Sequence, residues 1–130
     1  MNEEQAHLLY VTNTIFSQVG GQRFMRMTGA HSYLRARDEQ GDCYLQFKLP
    51  GNMCKDGINL VRITLTPLDV YRVSFSRVIH DHEKGLHAVP VCEHDFIYAD
   101  ALEDILGEVT GLATCLGPVI VDSSAIAGGY

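Results

Sequence analysis

The sequence predicts an α+β domain in which an N-terminal helix, a three- to four-stranded antiparallel meander and a second amphipathic helix share the sheet's single apolar face. Three observations carry this. Apolar residues recur at helical spacing between Asn2 and Val19, side chains alternate apolar and polar between short turns from Cys43 to Ser76, and the helical period returns from Ala99 to Thr110.

The first helix is expected over residues 2–19. Leu8, Val11, Ile15 and Val19, flanked by Leu9 and Phe16, form one stripe. Asn2 is a suitable cap, Glu3 and Glu4 sit where the helix dipole favours acids, and Gly20-Gly21 supplies the stop. The next stretch, "QRFMRMTGAHSYLRARDEQGD", fits neither period; a short strand at Tyr33–Arg37 is the element it suggests.

Alternation then becomes regular. In "CYLQFKL", Cys43, Leu45, Phe47 and Leu49 point one way and Tyr44, Gln46 and Lys48 the other, and Pro50-Gly51 ends the strand. "INLVRITLT" sets Val61, Ile63 and Leu65 against Arg62, Thr64 and Thr66, and "VYRVSFSRV" sets Tyr71, Val73 and Phe75 against Arg72, Ser74 and Ser76. Pro67-Leu68-Asp69 turns one into the other. After the turn "HDHEKG", "LHAVPV" is a fourth strand, assigned to a sheet edge because Pro90 has no N–H to give a ladder.

From Ala99 to Thr110, Leu102, Ile105, Leu106 and Val109 make an apolar stripe, while Asp100, Glu103, Asp104 and Glu108 gather on the other side. Gly111 closes the helix. Residues 1–116 are read as one domain and 117–130 as a tail that frays, with "VIV" at 119–121 a further edge strand.

A chain of 130 residues affords one core. Hydrophobic residues at 46% and charged residues at 20% place it among globular rather than disordered sequences. No apolar run approaches the roughly 18 residues needed to cross a bilayer, and the N-terminus is acidic, so the expected location is the cytoplasm. Cys43, Cys54, Cys92 and Cys115 are widely spread with no CxxC pair, which reads as free, mostly buried thiols.

The net charge of −6 is unevenly placed: Val91 to Tyr130 holds seven acids and no Lys or Arg, while the rest is nearly neutral. Such a surface repels phosphate backbones.

Four segments, "MTGA" at 27–30, "FKLPG" at 47–51, "DGINLVRITLTPLDVYRVSF" at 56–75 and "YADALEDILGEVTGL" at 98–112, together resemble a family of small uncharacterised proteins of tailed phages, prophages and related mobile elements. The resemblance runs from Met27 to Leu112 and brings no activity with it. The N-terminal helix, the histidine-rich stretch 80–94 and the tail after Leu116 depart from it. The shared glycines and prolines (Gly29, Gly57, Gly111, Pro50, Pro67) suit turns, caps and strand ends rather than chemistry.

Four constellations are candidates for function. Asp100, Glu103, Asp104 and Glu108 make a line of carboxylates at a spacing near that of strand phosphates, suited to the basic groove of a nucleic-acid enzyme. With the phage resemblance, this implies a non-catalytic protein-binding module acting on a host or phage protein, for example an anti-defence, anti-CRISPR-like inhibitor; the plain alternative is a solvated face. Arg23, Arg26, Arg35 and Arg37, interleaved with Phe24 and Tyr33, offer phosphate contacts and stacking for single-stranded nucleic acid, as in a DNA-metabolism accessory. His80, His82, Cys92 and His94, with His87 nearby, could hold Zn²⁺ across a hairpin, although no familiar zinc spacing is present. Candidate nucleophile pairs such as Cys92 near His94 or Cys54 near Asp56 have no nucleophile elbow around them, and "GPVIVDSSAIAGG" lacks the lysine of a phosphate loop. No enzymatic activity and no cofactor is expected. A homodimer through an exposed strand edge or the first helix remains open.

Overall fold

The computed structural model describes residues 2–112. Helix α1 spans Glu3–Val19 and α2 spans Gly21–Thr28; five strands follow, β1 His31–Arg37, β2 Cys43–Lys48, β3 Leu60–Leu65, β4 Tyr71–Asp81 and β5 Gly85–Ile97, and α3 spans Leu102–Thr110. The expected fold class is observed, with helices against one face of an antiparallel meander in the order β1-β2-β3-β4-β5. The strand expected at 119–121 and the tail 117–130 lie outside the described residues.

Helix α1 begins at a capping box. Asn2 Oδ1 accepts the Gln5 N–H at 2.8 Å and Gln5 Oε1 accepts the Asn2 N–H at 3.3 Å, so two otherwise orphaned donors are satisfied. Val11, Ile15 and Val19 are buried along its inner face. Gly20, at φ 121°, ends the helix and lets α2 start in a new direction.

Helix α2 was not expected from the sequence. Its eight residues contribute one large buried side chain, Phe24, whose ring meets Phe47 edge-on at 5.4 Å between centroids. A single apolar anchor shows no period, and tertiary packing rather than patterning secures so short a helix. The sheet also has one strand more than the three or four expected. The segment 31–37 joins β2 in register, with Leu34 opposite Gln46 and Arg37 opposite Cys43.

The core lies between sheet and helices. Leu45 and Phe47 from β2, Val61 and Ile63 from β3, and Val73 and Phe75 from β4 meet Ile15, Phe24, Leu102 and Leu106, all essentially without solvent exposure. The expected alternation therefore holds along β2, β3 and β4. Asn59 prolongs the sheet by side chain: its Oδ1 accepts the Val78 N–H at 2.7 Å and its Nδ2 donates to the Val78 carbonyl at 3.3 Å. Beyond this clamp β4 and β5 continue alone as a two-stranded ribbon to the turn between Asp81 and Gly85.

Strand β5 is a sheet edge, as Pro90 requires. Its ladder is interrupted twice, where Val91 is extra opposite Phe75 and Ser76, and where Asp95 and Phe96 together face Arg72. Phe96 is held at φ 59° with its ring 65% exposed, an arrangement that costs backbone strain without gaining burial. Among the described residues no helix is long and apolar enough to cross a membrane.

Candidate functional site

The outer side of α3 follows the pattern except at Glu103. Leu102 and Leu106 are fully buried, while Asp100, Asp104 and Glu108 are exposed at successive four-residue steps, Asp100 lying in the single 3-10 turn that leads into the helix. Glu103, one step off this line, is half-buried and makes an interaction of its own. The helix is tied down at its far end, where Lys55 Nζ donates to the Glu108 carbonyl at 3.2 Å and Gly111, at φ 79°, returns its N–H to the Gly107 carbonyl.

The arginine segment is divided. Arg23 and Arg26 sit exposed on α2; on β1 Arg35 is exposed and Arg37 half-buried. Arg37 is committed to the fold: Nη2 donates to the Glu4 carbonyl at 2.7 Å and Nη1 to the Gly41 carbonyl at 3.3 Å. Tyr33, expected as a stacking surface, turns inward instead. Its ring lies 5.3 Å from Phe16 and 5.2 Å from Phe47 between centroids, and its buried hydroxyl has no hydrogen-bond partner. Burial pushes this phenol up to about 12. The helix-facing parity of β1 is the cause, since whichever side chains meet α1 are drawn into the core.

Register also separates the histidines. His80 pairs with Leu86 near the ribbon tip and His82 lies in the turn, with their rings 6.3 Å apart, whereas Cys92 pairs with Phe75 and His94 with Val73. Six residues of β5 between Leu86 and Cys92 amount to about 20 Å. His87 pairs with Ile79 and so projects from the other side of the ribbon. The zinc arrangement drawn from sequence spacing is thus not formed, because β4 continues past His80 for only one more residue; among the described residues no three His, Cys, Asp or Glu side chains gather as a metal site.

The described cysteines, Cys43, Cys54 and Cys92, are shifted away from the thiolate form. Burial raises the thiols of Cys43, Cys54 and Cys92, with nearby Asp56 adding to the effect at Cys92, so all three are held toward the protonated form.

A further site had no sequence motif. The sheet face turned away from the helices carries a row that crosses all five strands: Leu34, Gln46, Arg62, Ser74 and Glu93 stand opposite one another in turn. Arg62 is the fixed point of this row. Its Nε and Nη2 both donate to Gln46 Oε1, at 3.1 and 2.9 Å, and its guanidinium lies over the Tyr44 ring, 4.0 Å from the centroid. Ser74 donates to Glu93 at 3.0 Å, and Arg72 pairs with Asp95 at 2.7 Å and Glu93 at 3.9 Å. Arg62 borders two hollows, one of about 490 Å³ toward β5 and one of about 470 Å³ toward the β1–β2 turn. Only the alternation in "LVRITL" hinted at this side, and it could not say which distant side chains would stand beside Arg62.

Comparison with protein-family models, with curated proteins and with solved structures returned no match.

Proposed function

We propose that this chain is a non-catalytic protein-binding module that meets its partner through the outer face of α3. The observation that carries the proposal is the exposed line Asp100, Asp104 and Glu108 on a helix whose other side is anchored by Leu102 and Leu106. Asp104 and Glu108, about 6 Å apart along the helix, with Asp100 in the turn before it, form a field that complements a basic surface. No Lys or Arg from Val91 onward offsets them in the sequence. The partner chemistry that fits is a protein with a basic groove, such as a nucleic-acid enzyme. The resemblance to mobile-element proteins makes an inhibitor of host defence, competing with nucleic acid for that groove, the concrete version.

The test is affinity capture from the host with the natural chain and with a variant carrying Asp104→Lys and Glu108→Lys. The proposal expects a partner retained by the natural chain, released by nucleic acid and by salt, and lost by the charge-reversed variant. Equal capture by both chains rejects it.

A further inference from the structure

Among the described residues, the face opposite the helices carries a guanidinium with no carboxylate within ion-pair distance. Among the described residues both ion pairs belong to Arg72, and Arg62 is held instead by the neutral amide of Gln46 and the ring of Tyr44. A guanidinium has five N–H groups. Gln46 takes one from Nε and one from Nη2, which leaves three N–H groups on a guanidinium whose residue borders the larger hollow. A fork oriented in advance by neutral partners loses little freedom when it meets an anion.

The surroundings narrow the anion. Leu60, Ala88, Pro90 and Val91 form an apolar wall of the same hollow, and Glu93 stands in Arg62's own row, two strand spacings or about 10 Å away. Asp38 and Glu39 border the smaller hollow and Asp95 lies beside Arg72. This fringe of carboxylates repels a polyanion such as nucleic acid but leaves room for one carboxylate at the centre. The complementary ligand has a single negative end, an aliphatic body and a hydrogen-bond donor some way behind the negative end.

We infer that this hollow binds the carboxyl-terminal end of a peptide, with the terminal carboxylate on Arg62, an aliphatic side chain against Leu60 and Pro90, and a backbone or amino N–H on Glu93. The site lies on the sheet face away from the helices, so it is independent of the partner surface proposed for α3. A volume of about 490 Å³ is within the range of small-ligand sites.

The experiment titrates the ¹⁵N-labelled full chain with acetyl-Val-Leu-Leu bearing a free carboxylate, with the same peptide as its carboxamide, with inorganic phosphate and with a short single-stranded DNA. Backbone signals of Gln46, Arg62, Ser74 and Glu93 and the Arg62 Nε–H signal are followed. The inference expects saturable shifts with the free acid and binding at least about tenfold weaker with the carboxamide, the size of one charge-assisted hydrogen bond. Arg62→Gln should weaken the free acid by a similar factor, and Arg62→Lys, which keeps the charge but loses the fork, by less. Equal binding of acid and carboxamide to the natural chain overturns it whatever the variants do, as does phosphate or DNA binding more tightly than the peptide. Unchanged binding by a folded Arg62→Gln chain also overturns it.

Discussion

Arg62 lies over Tyr44 with its guanidinium carbon 4.0 Å from the ring centroid, and the tyrosine, although on the sheet face without helices, is only 8% exposed. One side chain thus roofs the other while Gln46 holds the roof in place. Removing it by Arg62→Ala should lower stability by about 1 kcal/mol, the sum of a modest cation–π contact and a lost hydrogen-bonded fork. Urea unfolding with tyrosine fluorescence as the probe measures this, and a change below roughly 0.3 kcal/mol, the error of such extrapolations, contradicts it.

The capping box at the start of α1 predicts that Asn2→Ala costs about 1 kcal/mol, because the Gln5 N–H loses its acceptor. Hydrogen exchange should quicken first at the amides of the opening turn of α1 and leave β3 untouched.

Phe96 is a bulky residue at φ 59° with most of its ring in water. Phe96→Gly should therefore raise the thermal midpoint, with relief of about 1 kcal/mol, since glycine adopts this conformation without strain and little buried area is lost. A fall in midpoint shows that the exposed ring contributes more than the backbone conformation costs.

Tyr33 makes two linked predictions. Its buried hydroxyl lacks a partner, so Tyr33→Phe should leave stability at neutral pH equal or higher, by up to about 1 kcal/mol. Burial raises its pKa from the ordinary phenol value of 10.0 to about 12, so the unfolded chain loses this proton first as pH rises. The tyrosine's contribution is complete below the unfolded value and declines between about pH 10 and 12. Tyr71 is raised by burial, with Asp69 adding to it, while its hydroxyl donates to Gln18 at 2.6 Å; it moves stability in the same direction. Denaturation midpoints at stepped alkaline pH should fall less steeply for Tyr33→Phe than for the natural chain.

Charge reversal on α3 should separate binding from folding. Glu108→Lys places a cation near the helix C-terminus and should change stability by less than about 0.5 kcal/mol, whereas Asp104→Lys, in the first turn, should cost up to about 1 kcal/mol. Circular dichroism melts of the two single variants check that loss of partner binding is not loss of fold.

The acidic line on α3 was readable because Leu102, Leu106, Asp104 and Glu108 stand within one element, where the helical period alone decides which side each takes. The row through Arg62 was not. Leu34, Gln46, Ser74 and Glu93 come from four other strands, and only pairing register sets them beside it. The histidines mark the converse error: fifteen residues of proximity in sequence did not become proximity in space, because an extended ribbon carries its tip away from its base.

By itself, the sequence determined the elements whose evidence is periodic: α1 with its Asn2 cap, the alternating strands β2, β3 and β4, the edge position of β5 that Pro90 demands, and the two-sided α3. Tertiary structure alone decided that residues 21–28 wind into α2, that the strand suggested at Tyr33–Arg37 joins the sheet beside β2, that Tyr33 turns inward and that Arg62 is left without an anionic partner among the described residues. The physical reason is range. Periodicity expresses which face meets water within a few residues of chain, whereas register and the packing of a single anchor such as Phe24 are settled by contacts between segments that the sequence holds far apart.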